Sequence, residues 1–188
     1  MQMNTGISIA SLVVSVITLA LVLMLLAGKP WESSPVETVL TATPTAIPPG
    51  YAGRYYEKGR EYYNDSEYSK AWEQYTKAIE IDPDYAVAYK HRATASANLD
   101  RYEDAIADYD KAIELDPNDA NAYINRGISY GALGEYQNAI ADYDKAIELD
   151  PNDGDAYYNR GRDYSELGQY QNAWADKAEA CSLNSKYC

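Results

Sequence analysis

Two patterns of apolar and polar positions divide this chain. Residues 7–27, ISIASLVVSVITLALVLMLLA, carry no charge and are apolar on every helical face. Such a helix would rise about 32 Å at ~1.5 Å per residue, close to the ~30 Å of bilayer hydrocarbon. The run is longer than the ~7–15 apolar residues of a signal peptide core, and MQMNTG before it has no Lys or Arg, so a retained membrane helix is expected. Ser8, Ser11, Ser15 and Thr18 follow one another at steps of three, four and three and share one face of it, a candidate surface for helix packing in a membrane. From residue 51 the pattern changes. In EYQNAIADYDKAIELDP, Ala139, Ile140, Tyr143, Ala146 and Ile147 recur at three- and four-residue steps, which predicts an amphipathic helix. Before it, in NAYINRGISYGALG, Tyr123, Gly127 and Tyr130 keep helical spacing, and Gly131 and Gly134 help to end the segment. Pro151 stops the second helix, and the Asp and Asn residues beside it suit the start of the next.

This helix–turn–helix unit recurs. The block AIADYDKAIELDPND fills 105–119 and again 139–153, and Pro83, Pro117 and Pro151 keep the same step of 34. A fixed period in this range means stacked copies of one supersecondary unit. Four units follow: 52–85, 86–119, 120–153 and 154–187. Residues 28–50, with five prolines from Pro30 onward, read as an extended Pro/Thr/Ser-rich linker after a short tail at 1–6 and the apolar run. The expected organisation is all-α: one membrane helix, a stalk, then a repeat domain over 51–188.

The chain has 188 residues and a net charge of −13, which argues against nucleic acid as a partner because that ligand wants a basic face. Twenty Tyr and no Phe supply the aromatic bulk, with 3 Trp. Cys181 and Cys188 are either two free thiols or a local disulfide, the latter requiring an oxidising compartment. His91 is the one histidine, so a two-histidine metal site is excluded, and it is expected at the surface. No nucleophile elbow, phosphate loop, HExxH or paired CxxC motif occurs. Asp150-Pro-Asn-Asp-Gly-Asp lacks the ligand spacing of a calcium loop. The expectation is therefore a protein that is not an enzyme, without catalytic residues, cofactor or metal.

The repeated offsets resemble those of the tetratricopeptide repeat family: bulky aromatic, small residue, Tyr, Ala, aromatic, Ala and Pro. In the third unit these are Tyr123, Gly127, Tyr130, Ala139, Tyr143, Ala146 and Pro151. The first unit has Tyr55, Gly59, Tyr62, Ala71, Tyr75, Ala78 and Pro83, and the second has Tyr89, Ala93, Ser96, Ala105, Tyr109, Ala112 and Pro117. The resemblance implies a right-handed α-solenoid in which the first helix of each unit lines a concave groove. It places Tyr56, Arg60, Tyr63, Lys90, Thr94, Ile124, Ile128, Tyr158 and Arg162 in that groove. A basic, Tyr-lined groove in an acidic body suits a protein partner or an acidic peptide.

Some relatives hold a terminal carboxylate with a Lys/Asn clamp. Lys90 and Asn125 match two of its five places, while Thr94, Asp155 and Asn159 depart from the rest. Arg92, Arg126 and Arg160 replace the usual Leu, and Asp108, Asp142 and Asp176 follow each by 16 residues, which predicts a ladder of ion pairs. Lys177 replaces the aromatic of the last helix and reads as a solvated end. Two functions follow as expectations. One is a membrane-anchored interaction scaffold, a single-pass protein with its repeats outside. The alternative is a structural subunit that self-associates through repeat stacking and packing of the apolar helix, with Trp174, Cys181 and Leu183 meeting Tyr51, Tyr55 and Tyr62 of the next chain.

Overall fold

A computed structural model of the protein describes residues 50–188. It holds eight helices in sequence: α1 (Gly50–Asn64), α2 (Tyr68–Ile81), α3 (Ala86–Ala97), α4 (Tyr102–Leu115), α5 (Ala120–Ala132), α6 (Tyr136–Leu149), α7 (Gly154–Glu166) and α8 (Tyr170–Leu183). A 3-10 turn at Ser185–Tyr187 follows. Each odd helix packs on the even helix after it, and each pair packs on the next, which makes a solenoid of four hairpins. The expected membrane association is corrected here. Among the described residues no helix is long and apolar enough to cross a membrane, so the reading of a single-pass protein with its repeats outside is withdrawn. The run 7–27 on which it rested, its face Ser8, Ser11, Ser15 and Thr18, and the linker up to residue 49 all lie outside the described residues.

The 34-residue step is visible in the backbone itself. Ser66, Asp100, Gly134 and Gly168 close the tight turn within each unit, all with positive φ (62°, 58°, 78° and 71°). Glycine takes that left-handed conformation freely, whereas Ser66 and Asp100 bear a steric cost of about 1 kcal/mol. Ser66→Gly is therefore expected to raise stability by up to ~1 kcal/mol, seen as a higher urea midpoint. A lower midpoint would contradict this account of the turn. Between units, Asp82, Asp116 and Asp150 accept a backbone N–H two residues on, at 3.2, 3.2 and 3.0 Å, in the same Asx turn each time. Asp119 and Asp153 then cap α5 and α7 with their carboxylates.

Small residues let the two helices of a unit cross closely. A Cβ on Gly59 would lie 2.5 Å from the Tyr75 ring, and one on Gly127 would lie 2.6 Å from Tyr143. Those tyrosines and Tyr109 are fully buried and are the largest side chains of the core. Ala71, Ala78, Ala105, Ala139 and Ala146 complete the seams.

The predicted ion pairs are present, and each is bidentate. Arg92 Nε and Nη2 donate to Asp108 at 2.7 and 2.6 Å. Arg126 reaches Asp142 at 2.8 and 2.6 Å, and Arg160 reaches Asp176 at 2.8 and 2.7 Å. The third nitrogen of each fork crosses to the preceding unit: Arg92 Nη1 to Thr76 (3.2 Å), Arg126 Nη1 to Asp110 (2.6 Å), Arg160 Nη1 to Asp144 (2.5 Å). The ladder thus ties units to one another as well as helices within a unit. It stops at both ends, because Lys58 stands where the arginine would be in the first unit and Ala178 stands where the receiving acid would be in the fourth.

Candidate functional site

The inner helices α1, α3 and α5 frame a cleft of ≈ 380 Å³, lined by Arg60, Tyr63 and Asn64 of α1, Tyr75 of α2, Lys90, His91 and Thr94 of α3, and Asn121 and Asn125 of α5. Of the nine expected groove residues, this brings together Arg60, Tyr63, Lys90 and Thr94. Tyr56 and Ile124 are buried in core clusters beside it and offer little surface. Ile128 is half-buried against the third unit's core. Tyr158 and Arg162 lie on the fourth unit, outside the cleft. There Arg162 Nε donates to its neighbour Asp163 at 3.2 Å, and the Tyr158 ring is stacked under Tyr187.

The chemistry of the cleft follows from how each group is held. Arg60 meets Glu57 at 3.2 Å, but both side chains are more than half exposed. An exposed pair of this kind is worth about 0–1 kcal/mol, so an incoming anion can take Arg60 over cheaply. Lys90 is engaged differently. Its ammonium bonds to Asp119, and both groups are mostly covered, so it stays fixed at the cleft wall. Thr94 donates to the Lys90 carbonyl at 2.9 Å and, with its proton committed, accepts from the Tyr109 hydroxyl at 3.0 Å. Asn98 donates to the Tyr63 hydroxyl at 3.1 Å and orients that ring at the rim. Asn64, Asn121 and Asn125 add amides that both donate and accept, as a peptide backbone requires.

His91 corrects the sequence reading. It is not a plain surface residue. It lines the cleft and packs edge-on against Tyr56 at 5.4 Å and against Tyr75 at 5.9 Å. Burial, with Lys90 and Arg60 nearby, holds its pKa below the ordinary value, so it is neutral at pH 7. A lone histidine in an array carries no spacing signal, so the sequence alone does not place it in the cleft. The Tyr75 hydroxyl at the cleft floor is buried and has no hydrogen-bond partner among the described residues, and burial raises its pKa.

A second buried polar group lies at the other end. Asp163 is 1% exposed, faces Gly131, and keeps Oδ2 without a hydrogen-bond partner among the described residues. Burial is the main cause that raises its pKa, outweighing Arg162. A carboxyl raised on folding costs stability at neutral pH, and that cost is relieved as pH falls through its folded value toward the ordinary carboxylate range. Asp163→Asn should therefore raise the melting temperature at pH 7 and flatten the gain seen on mild acidification. A lower melting temperature at pH 7 would show that the charge is satisfied.

The Cys181–Cys188 alternative is decided in favour of a bond: the two form a disulfide with Cα atoms 4.8 Å apart.

Among known proteins, four family models described as tetratricopeptide or TPR repeats match at 52–85, 74–107 with 142–175, 97–134 and 120–153, covering 52–175 without a gap. A crystal structure of MamA is 27% identical, with TM-score 0.69 over 80% of this chain and 85% of that one. The first TPR of Spaghetti (RPAP3), bound to the HSP90 peptide SRMEEVD, is 29% identical, with TM-score 0.64 over 66% of this chain and 98% of that one. The Arabidopsis OM64 TPR domain is 30% identical, with TM-score 0.62 over 63% of this chain and 98% of that one. No curated protein sequence matches the chain.

Proposed function

From the premise that this chain belongs to the tetratricopeptide repeat family, we propose that it is a protein-interaction module whose cleft between α1, α3 and α5 takes an acidic peptide. The observation that carries this is Arg60 at the mouth of a concave, amide-lined cleft, held only by an exposed pair with Glu57. A carboxylate of the peptide replaces Glu57 on Arg60. The amides of Asn64, Asn121 and Asn125 pair with its backbone. Tyr63 and the stem of Lys90 supply contact area. The chain carries a net charge of −13, so attraction acts at short range, within a Debye length of ~8 Å at physiological salt. The peptide-bound RPAP3 neighbour supports the reading, since its ligand SRMEEVD is acidic.

Stacking of copies end to end finds no comparable support. A fifth unit would need an acid where Ala178 stands, and a second copy would bring Lys58 where an arginine is needed. Lys177 is also exposed on the last helix.

Titration calorimetry of an array of acidic heptapeptides that includes SRMEEVD, each beside its Gln/Asn counterpart, tests the proposal. Acidic members should bind at least tenfold more tightly than their neutral counterparts. Arg60→Ala should remove about tenfold, ~1.4 kcal/mol, with the fold intact by circular dichroism. Equal affinity for acidic and neutral peptides, or indifference to Arg60→Ala, would overturn it.

A further inference from the structure

The C-terminal segment Asn184–Cys188 repeats the beginning of a unit. Asn184 accepts the backbone N–H of Lys186 at 3.0 Å, the same Asx turn that Asp82, Asp116 and Asp150 make before α3, α5 and α7. In the second unit Lys90 bonds to Asp119, which lies 29 residues later and caps the next unit. Tyr187 stands in the same relation to Tyr158, and their rings stack at 4.5 Å and 21°. The segment thus repeats the opening turn of a unit and covers the inner end of the fourth. Its other contacts are specific. The Tyr187 hydroxyl donates to Asp155 Oδ1, and Lys186 Nζ donates to the same oxygen at 2.9 Å. Both members of the Lys186–Asp155 pair are about half exposed, so solvent screens it. The disulfide from Cys188 to Cys181 of α8 ties it to the last repeat.

We propose that this disulfide is a removable clip on a self-occupied binding site, in which Asp155 and Tyr158 accept a partner segment that carries a cation beside an aromatic residue. The chain's own Lys186-Tyr187 shows the chemistry: a planar ring over Tyr158 and a positive charge with a hydroxyl on Asp155. While the clip is closed, the segment is held beside the site and a partner competes poorly with an intramolecular ligand. Opening is a thiol–disulfide exchange with a dithiol reductant. The dithiol gives up two electrons and two protons, the Sγ–Sγ bond breaks to leave two thiols at Cys181 and Cys188, and the dithiol closes to its own disulfide. Asp155 and Tyr158 are then free. This site is separate from the acidic-peptide cleft and prefers the opposite charge.

The test uses the full chain, oxidised or reduced with excess dithiothreitol, and the probe acetyl-Ser-Lys-Tyr-amide followed by NMR. A second variant, Lys186→Ala with Tyr187→Ala, empties the site while leaving the disulfide closed. In the oxidised chain the probe should leave the Asp155 and Tyr158 resonances unmoved. In the reduced chain and in the oxidised double variant it should shift them, with acetyl-Ser-Glu-Tyr-amide at least tenfold weaker. Amide exchange at residues 185–188 should rise at least tenfold on reduction, with the eight helices unchanged. The proposal is overturned by any of four results: unaltered exchange of the segment on reduction, equal probe shifts in oxidised and reduced chain, no shift in the double variant, or equal binding of the Lys and Glu probes.

Discussion

Asp142→Ala is expected to destabilise the repeat domain by about 3–5 kcal/mol, the range for breaking one side of a buried ion pair. Asp142 is 6% exposed and receives two of the three hydrogen bonds of Arg126. Removing it strands a guanidinium whose own side chain is largely covered, with the exposed Asp110 as its remaining acidic partner. The two partners respond differently: burial raises the Asp142 pKa even with Arg126 beside it, whereas at Arg126 the bonds to Asp142 and Asp110 together outweigh burial and favour the charged guanidinium. The double change Arg126→Ala with Asp142→Ala should therefore recover a good part of the loss, and a double-mutant cycle by urea unfolding should give coupling above ~1 kcal/mol. Zero coupling would mean that the bidentate geometry contributes nothing to stability. A similar cycle on Arg126 and Asp110 should give much less, because Asp110 is half exposed.

Tyr143→Ala should cost a comparable amount, about 3–5 kcal/mol by analogy with other large aromatic truncations in cores. The ring fills the space left by Gly127, whose missing Cβ would otherwise sit 2.6 Å away, so deletion opens a cavity between α5 and α6 that the backbone cannot close. Tyr143→Phe separates ring from hydroxyl. That hydroxyl makes no hydrogen bond of good geometry among the described residues but interacts with the buried Asp163 carboxyl, so its loss should cost little, under about 1 kcal/mol. Thermal unfolding of both variants checks this. A Tyr143→Ala loss below ~1 kcal/mol would show that the unit collapses onto the void, and a large Tyr143→Phe loss would show that the hydroxyl is satisfied. Nothing in the structure explains why Tyr rather than Phe stands at Tyr75.

The hairpins were legible because one signal repeats at every level. Pro83, Pro117 and Pro151 mark the loops, and the Gly–Tyr complement marks the helix crossings. Arg–Asp pairs within a unit were legible from their constant offset of 16. The links from Arg126 to Asp110 and from Arg160 to Asp144 were not, although they span the same 16 residues backward, since a spacing read in one direction hides its mirror. The family resemblance places groove residues by their offset in the repeat, and an offset cannot tell an inner position open to solvent, such as Arg60, from one covered by its neighbours, such as Tyr56 or Ile124. The fold-back of Lys186 and Tyr187 onto Asp155 depends on a disulfide that two cysteines seven residues apart leave undecided on paper.

The central claim is that the concave cleft receives an acidic peptide, and heteronuclear NMR of the chain with the tightest acidic peptide of the array tests it most directly. Chemical-shift changes should concentrate at Arg60, Tyr63, Lys90, His91 and Asn125, with the His91 imidazole titrating at higher pH in the complex as a carboxylate comes near. Changes centred on the outer helices, around Asp104 and Glu114 of α4, with the cleft residues and His91 unmoved, would contradict the account.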